Sequence, residues 1–268
     1  MESRGTRVAL AAWAVAVVLF LWIPLVIICV YAFNSSNIQS WPIAGFSTKW
    51  FHDAWHNSDA RAALELSLRA AGLATLFALV LGTAAAAAVT RFRFFGRDAV
   101  SFLLVLPLAL PGVVTGIALN SFFAHNPVHH LTPGLMTIVI GHATFCIVIV
   151  YNNVAARLRR TQTSLTEASM DLGADGWQTF RYVTFPVIST ALVAGALLAF
   201  ALSFDEVIVT TFTAGAQNTL PIWILGMLRL GQNLPQVNVV VFFVIAMTVI
   251  PVTIAQRLTR DTGILRRR

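Results

Sequence analysis

Six long apolar runs, separated by shorter polar connections, dominate the pattern of this chain. A helix needs about 20 residues at about 1.5 Å each to cross about 30 Å of hydrocarbon, and each run reaches that length. Because lipid satisfies no backbone polar group, the spanning segments are expected to be helices. The pattern predicts an all-α polytopic membrane protein, a single domain over residues 1–268, with six transmembrane helices at Val8–Ala32, Ala62–Val89, Ala99–Phe123, Gly134–Ala156, Val187–Thr211 and Val237–Ala255.

One long segment, Leu165 to Pro186, is rich in polar and charged residues and lies between two of these spans. Thr166 offers the chemistry of a helix start, and Gly173 can end that short helix with a positive φ. Asp175 is a candidate N-cap of a second short helix, and Pro186 suits the first turn of the next span. Two short helices that meet at a glycine form a projecting knob. A knob on a membrane bundle is a natural docking surface for a soluble partner.

The composition agrees with a membrane protein. Of the 268 residues, 57% are hydrophobic and 11% are charged, and the mean hydropathy is +0.77. A soluble domain would carry about 25% charged residues. The net charge of +7 does not indicate nucleic-acid binding, because the basic residues stand at the ends of apolar runs and form no stripe.

The basic residues also predict the orientation in the membrane. With six spans, 14 of the 18 basic residues fall on the side that holds both termini and the knob. Since cytoplasmic loops carry the excess of Lys and Arg, both termini and the knob are expected to be cytoplasmic. The first apolar run is too long for a signal peptide and no small-residue cleavage site ends it, so a retained span is predicted.

Motifs of catalysis and of cofactor binding are missing from the sequence. There is no G-x-x-x-x-G-K-[ST], H-E-x-x-H or G-x-S-x-G run, so the chain is expected to hold no catalytic residue and to bind no cofactor itself. Cys29 and Cys146 lie inside apolar runs, which argues against a disulfide or a metal cluster. An interfacial loop is favoured over a metal site for the remaining cluster, which consists of His125, His129 and His130.

Prolines interrupt the third span within the run LPLALPGVVTG. Pro107 and Pro111 free backbone carbonyls, which a membrane helix tolerates where neighbours or a water-filled cavity satisfy them. This helix, with Thr115, is a candidate for lining a pathway, and a packing kink without transport meaning is the alternative. His142, in span four, is interpreted as a satisfied bundle histidine rather than a proton relay.

Three polar residues, Ser203, Asp205 and Glu206, form the second candidate for the pathway. Each acid costs about 2.5 to 3.5 kcal/mol at a helix centre, so the pair is expected to face a cavity or a partner. At about 1.5 Å per residue, Asp205 lies about 27 Å beyond Val187, close to the outer boundary, where that cost falls. A purely structural role, such as a pair with Arg69, is the alternative.

The knob resembles the cytoplasmic coupling loop of ABC importer permeases, whose pattern is Glu-Ala-Ala, three residues, Gly, nine residues, then Ile-x-Leu-Pro. The spacing is kept at Glu167, Ala168, Ser169, Gly173, Val183, Phe185 and Pro186, with small or apolar exchanges at Ser169, Val183 and Phe185. The resemblance implies the type I ABC importer permease fold and a coupling loop over residues 157–186. It also implies ATPase contacts at Glu167, Ala168, Ser169, Asp171, Leu172, Gly173, Ala174 and Pro186.

The same resemblance implies partners. Two ATP-binding cassette subunits would dock on the coupling loops, a second permease subunit, expected to be a different chain, would pair with this one, and an extracytoplasmic substrate-binding protein would deliver the solute. ATP and Mg would be bound by the partner ATPase, so this chain would be a transport subunit in the cell membrane and not an enzyme.

The substrate expectation comes from a narrower resemblance. The segments Ser203–Arg229 and Ala109–Leu119 resemble the corresponding segments of spermidine/putrescine-type permeases. This implies import of putrescine, spermidine or a similar small organic cation, with Ser203, Asp205, Glu206, Pro107, Pro111 and Thr115 along the pathway. Import of iron, sulfate or an opine is one alternative. An ion-coupled secondary transporter is another, although the sequence has no ionisable groups near the membrane midplane to support it.

Overall fold

The computed structural model describes the backbone of residues 4–125 and 131–264, and the side chains of residues 4–125 and 131–249. Within these residues the chain is helical apart from loops and one isolated bridge between Asn34 and Phe46, which confirms the all-α class. A short π-helical segment, Phe180–Thr184, precedes α9. The helices are α1 (Arg4–Ala32), α2 (Lys49–His56), α3 (Ser58–Arg91), α4 (Arg97–Ala109), α5 (Gly112–His125), α6 (Leu135–Arg159), α7 (Ser164–Asp171), α8 (Gly176–Thr179), α9 (Phe185–Phe204), α10 (Ile208–Thr213), α11 (Leu220–Leu230) and α12 (Leu234–Ile264).

Among the described residues, four helical segments are long and apolar enough to cross a membrane. They are α1, α3, α6 and the continuous segment Gly176–Phe204 that ends with α9. The bent pair α4 and α5 makes a fifth if it is counted as one span. Among the residues with described side chains, the apolar part of α12 is shorter, at Leu234–Val249. A multispanning helical protein is therefore confirmed, and the count of six spans stays a prediction.

The chain divides into two compact units. The first comprises Met1–Arg61 and Ile224–Arg268. In it α1 and α2 pack against α12, with Ala32, Ala54 and Val239 buried together. Much of α1 remains exposed, which suits a helix that faces lipid or another subunit.

The second unit, Ala62–Trp223, is built around α6. In the apolar window of α6, 61% of the residues are buried, against 33% in α3, so α6 is the central helix of this unit. Small side chains on α3 and α9 let these helices approach α6 closely. The core includes Ala78, Ala86, Val89, Cys146, Val150, Tyr151, Val154, Ile188 and Ala199.

Replacing Gly82 with Ala is expected to destabilise the second unit. A Cβ at Gly82 would lie 2.8 Å from the Ile147 carbonyl oxygen and 3.0 Å from the Cβ of Val150, both on α6. Because α3 would have to move away from α6, the change is expected to cost about 1 to 3 kcal/mol and to lower the Tm of the purified chain in detergent.

The control for this substitution is Gly72→Ala in the same helix. A Cβ at Gly72 would meet nothing within 4 Å, and Ala is a better helix former than Gly, so this variant should melt at or slightly above the wild-type temperature. Equal losses of Tm in the Gly82 and Gly72 variants would contradict the packing of α3 on α6.

The prediction that the third span is a single helix that contains its prolines is wrong. The helix ends at Ala109 and resumes at Gly112, and the two parts, α4 and α5, are bent by 105°. Pro111 has no N–H to donate, and a residue that precedes proline avoids helical backbone. Leu110 accordingly has φ −80° and ψ 140°, an extended conformation.

The prediction that span five continues as one helix to Thr211 is also wrong. The helix ends at Phe204, and a new helix, α10, begins only at Ile208. Asp205 caps the end of α9 with φ −96° and ψ 4°. The acid pair therefore lies in a break between two helices, not within one.

Candidate functional site

The first half of the knob ends as its sequence predicts. The N–H of Gly173 donates to the carbonyl of Met170 at 2.8 Å, and the N–H of Ala174 donates to the carbonyl of Ser169 at 3.1 Å. These two bonds form a Schellman motif, which satisfies carbonyls at the end of α7. Gly173 has φ +85°, a conformation that glycine adopts at little cost. Its role as a helix terminator is confirmed.

The second half of the knob is held by side chains. Asp175 accepts a hydrogen bond from the N–H of Gln178 at 2.8 Å, and Gln178 accepts one from the N–H of Asp175 at 2.9 Å, so the predicted N-cap is confirmed as part of a capping box. The hydroxyls of Ser169 and Thr179 lie 3.1 Å apart and join α7 to α8. Ser169 therefore fastens the two helices at a position where alanine could not.

The start of the knob differs from the prediction by two residues. α7 begins at Ser164, after Thr163, which makes no side-chain cap hydrogen bond. Thr166 lies inside the first turn, so its predicted role as the helix start is wrong. Pro186 stands in the first turn of α9, as predicted, although the π-helical segment Phe180–Thr184 runs directly into that turn, so the helical segment does not begin there.

Most of the predicted coupling residues are exposed. Glu167, Ala168, Asp171, Leu172, Gly173 and Pro186 are exposed, whereas Ser169 and Ala174 are half-buried. Apolar side chains stand at the tip, where Leu172 is 89% exposed and Trp177 is 66% exposed. Exposed apolar surface framed by acidic side chains is typical of a site where another protein docks.

Two arginines connect the base of the knob to the spans. Arg91, at the end of α3, donates from Nη2 to the Thr184 hydroxyl at 2.7 Å. Arg157, in the last turns of α6, donates from Nε to the carbonyl of Val187 at 2.9 Å. These two bonds join the base of the knob and the start of α9 to α3 and α6.

The break in the third span carries Pro111 and Thr115. The carbonyl of Pro111 accepts hydrogen bonds from the N–H groups of Val114, at 2.9 Å, and Thr115, at 3.1 Å, which start α5. Pro111 is exposed and Thr115 is half-buried. Pro107 lies within α4, which packs against α6.

The break after α9 presents the two acids differently. Asp205 is exposed, whereas Glu206 is half-buried and accepts a hydrogen bond from the N–H of Val209 at 3.0 Å, so that Glu206 caps α10. Arg69 forms its ion pair with Glu65. The alternative that Asp205 pairs with Arg69 is therefore not found among the described residues.

The two breaks lie side by side. A Cβ at Gly116 would lie 2.5 Å from the ring of Phe212, and one at Gly112 would lie 3.4 Å from Ile208. Asn120 also donates from Nδ2 to the carbonyl of Phe212 at 2.6 Å. The start of α5 thus lies beside the start of α10, so Pro111 and Thr115 lie in the same region as the acid pair. Pro107 lies elsewhere, within α4, which packs against α6.

A buried histidine joins the elements around this region. His142, 1% exposed on α6, has Nδ1 at 2.7 Å from the Ser203 hydroxyl and Nε2 at 2.8 Å from the Thr210 hydroxyl. Both ring nitrogens are bonded, in agreement with the interpretation of a satisfied histidine. The sequence did not indicate that its partners stand on either side of the acid pair.

Within the part of the chain that the structure describes, no three His, Cys, Asp or Glu side chains are grouped so that they could hold a metal ion. Of the histidine cluster in the sequence, His125 bonds the carbonyl of Ser121 at 3.0 Å. His129 and His130 lie outside the described residues.

The family described as "Binding-protein-dependent transport system inner membrane component" matches residues 78–262, a range that includes the knob and both breaks. The chain belongs to this family. Members of it are permease subunits, so this chain is a multi-pass permease subunit of an ABC importer. The ion-coupled secondary transporter is thereby set aside.

Relatives of the permease cover most of its length. The putrescine transport system permease protein PotI of Escherichia coli (strain K12) is 36% identical over 84% of this chain and 83% of its own. The spermidine/putrescine transport system permease protein PotC of the same strain is 31% identical over 95% of both chains. A putative 2-aminoethylphosphonate transport system permease protein, PhnV of Salmonella paratyphi A, is 26% identical over 98% of both.

The permease fold is also seen in a solved structure. A chain from a bacterial ABC transporter involved in the import of the acidic polysaccharide alginate superposes with a TM-score of 0.70 at 16% identity. The match covers 97% of this chain and 98% of the other. At this identity the likeness supports the fold alone.

Proposed function

We propose that this permease subunit imports putrescine, spermidine or a similar small organic cation, driven by ATP hydrolysis in partner subunits. The proposed substrate class rests on the similarity to relatives that are named for putrescine and spermidine transport. This similarity extends over most of the chain. The acid pair supports it with chemistry. A polyamine carries several ammonium charges, and these leave water at low cost only where carboxylates replace part of their hydration.

The pathway in this proposal passes the two adjoining breaks. Asp205, exposed at the end of α9, meets an ammonium group first, and the second oxygen of Glu206 can accept from it while the first caps α10. Pro111 and Thr115 line the same region from α5, and Ser203 stands at the end of α9.

The partner subunits in this proposal supply the ATP binding for which this sequence has no motif. No phosphate-binding loop is present, so ATP and Mg are bound by two ATPase subunits, one of which docks on the knob. A second, different permease subunit and an extracytoplasmic binding protein complete the importer. Both termini and the knob face the cytoplasm in this proposal, since most arginines lie on that side.

The mechanism we propose is alternating access. Closure of the ATPases around ATP displaces the knob, and the bonds of Arg91 to Thr184 and of Arg157 to Val187 pass that displacement to α3 and α6. The spans then rock between outward-open and inward-open arrangements. The chain acts as a transport subunit and performs no covalent chemistry.

Putrescine uptake is expected only from the complete importer. Labelled putrescine would be offered to proteoliposomes that contain this chain alone or all subunits, with ATP inside or outside and with or without an ion gradient. The chain alone should give no uptake above empty vesicles, because it binds no nucleotide.

Two outcomes would contradict the proposal. ATP-independent uptake by the isolated chain would contradict the role of a subunit. Uptake of 2-aminoethylphosphonate or sulfate by the complete importer, with no uptake of putrescine or spermidine, would contradict the substrate class and leave the permease role standing.

A further inference from the structure

Donor and acceptor can be assigned for both hydrogen bonds of His142. The Thr210 hydroxyl lies 2.7 Å from the carbonyl oxygen of Glu206, which can only accept, so the single hydroxyl proton goes to that carbonyl. The same hydroxyl therefore accepts from Nε2–H of His142, 2.8 Å away. Nδ1 of the neutral ring is then an acceptor, and the Ser203 hydroxyl donates a hydrogen bond to it at 2.7 Å.

This chain of bonds spans the break between the two helices. Ser203 lies in the last turn of α9, Thr210 lies in the first turn of α10, and the acid pair lies between them. Through His142 the two helix ends are tied to one point on α6, the central helix of the unit. All three side chains are at most 3% exposed, so water does not replace a bond that is lost.

The other end of α10 is held independently. The carbonyl of Thr213 accepts from the N–H of Gly134 at 3.2 Å, and the Thr137 hydroxyl, which lies 2.7 Å from the Thr213 carbonyl oxygen, shares its proton between this oxygen and the Gly134 carbonyl oxygen at 2.8 Å. Asn120 holds the carbonyl of Phe212. Loss of the histidine bonds therefore removes the hydrogen bond that ties the Glu206 end of α10 to α6 and leaves that end held by the packing of Val209, while the far end keeps its own hydrogen bonds.

We propose that His142 is the positioning residue of the acid pair: it braces the break between α9 and α10 and so holds Asp205 and Glu206 where the substrate cation meets them. This inference rests on the proposed function, because it takes the acid pair to be part of the cation's path. His142 touches no substrate in this account. It acts through Ser203 and Thr210.

The test compares two threonines of α10. Thr210→Val removes the hydroxyl that joins His142 to Glu206. Thr213→Val removes a hydroxyl from a side chain of equal burial in the same helix, whose only described bond is to the Val209 carbonyl of its own helix at 3.0 Å. Each variant would replace the wild-type chain in the complete importer in cells, and labelled putrescine uptake would be measured against concentration.

Thr210→Val is expected to raise the KM for putrescine about tenfold, equivalent to ~1.4 kcal/mol, with the maximal rate within about twofold of wild type. Thr213→Val should leave both values within about twofold of wild type. His142→Gln and His142→Asn, which each retain one of the two bonds, should give KM values between wild type and His142→Ala. If His142→Ala does not assemble, the threonine pair carries the test.

A double-mutant cycle separates positioning from general loosening. In a background of Asp205→Asn with Glu206→Gln, Thr210→Val should change the KM by less than about twofold, because both carboxylates that His142 positions are already gone. An unchanged factor of about ten in that background would overturn the proposal, as would equal KM values for the Thr210 and Thr213 variants in the wild-type background. If Asp205→Asn with Glu206→Gln itself leaves the KM unchanged, the acid pair is not in the path and the proposed site fails together with this inference.

Discussion

Gly173→Val is expected to lower ATP-driven putrescine uptake at least tenfold while the chain still folds and inserts. A Cβ at Gly173 would meet nothing within 4 Å, so the variant introduces no clash within the chain. Its effect comes from φ +85°, where a β-branched residue is strained by about 1 to 2 kcal/mol or more. We expect the backbone to escape that strain by breaking the Schellman motif, which moves the tip with Leu172 out of the position in which we propose that it contacts the ATPase.

Two variants in the knob serve as controls. Gly176 also has open space for a side chain but no positive φ, so Gly176→Val adds the same bulk without the strain and should keep most of the uptake. Gly173→Asn should retain more uptake than Gly173→Val, because asparagine tolerates the left-handed conformation. ATPase association would be measured by co-purification. Wild-type uptake and association in Gly173→Val would mean that the knob is not the docking element.

The knob was predictable because its chemistry is local. Gly173 and Asp175 act through bonds that join residues at most five positions apart, and Pro186 acts through its own missing N–H, so a helix end, an N-cap and the first turn of α9 are visible in the sequence. Hydropathy likewise placed α1, α3 and α6 to within about four residues at each end, in keeping with the known looseness of helix boundaries. The predicted helix start at Thr166 was wrong because Thr163, Ser164 and Thr166 are hydroxyl residues close together, and each could begin the helix.

The two breaks were not predictable from local sequence. A Pro-Gly pair at Pro111 permits either a kink or a full break, and the 105° bend is stabilised by contacts of α5 with α10, such as Asn120 with Phe212, 92 positions apart. The run after Phe204 is apolar enough to continue as a helix. The hydroxyls of Ser203 and Thr210, on either side of the acids, bond His142, which lies 61 and 68 positions away along the chain, and no local pattern shows that pairing.

Neutralising both acids, as Asp205→Asn with Glu206→Gln, is expected to reduce putrescine uptake more than any single change in the pathway, with the KM raised well above tenfold. The amide oxygen that Glu206→Gln introduces in place of the carboxylate can still accept from the N–H of Val209, so α10 keeps its cap and the break keeps its shape. What is lost is the pair of negative charges that offsets the desolvation of the ammonium groups. Of the single variants, Asp205→Asn should have the larger effect, because Asp205 is the exposed acid.

The control is Asp53→Asn with Asp59→Asn, which neutralises two acids on α2 and α3, outside the break. It alters the net charge of the chain equally, so any general electrostatic attraction of polyamine to the protein is lost to the same extent in both double variants. Uptake of labelled putrescine and spermidine would be measured in complexes verified to assemble, at two ionic strengths, because attraction between exposed charges weakens with salt. Equal KM values in the two double variants would give the acids at the break a structural role, whereas a selective rise in the Asp205 and Glu206 variant, largest for the more highly charged spermidine, would place a carboxylate contact on the path of the cation.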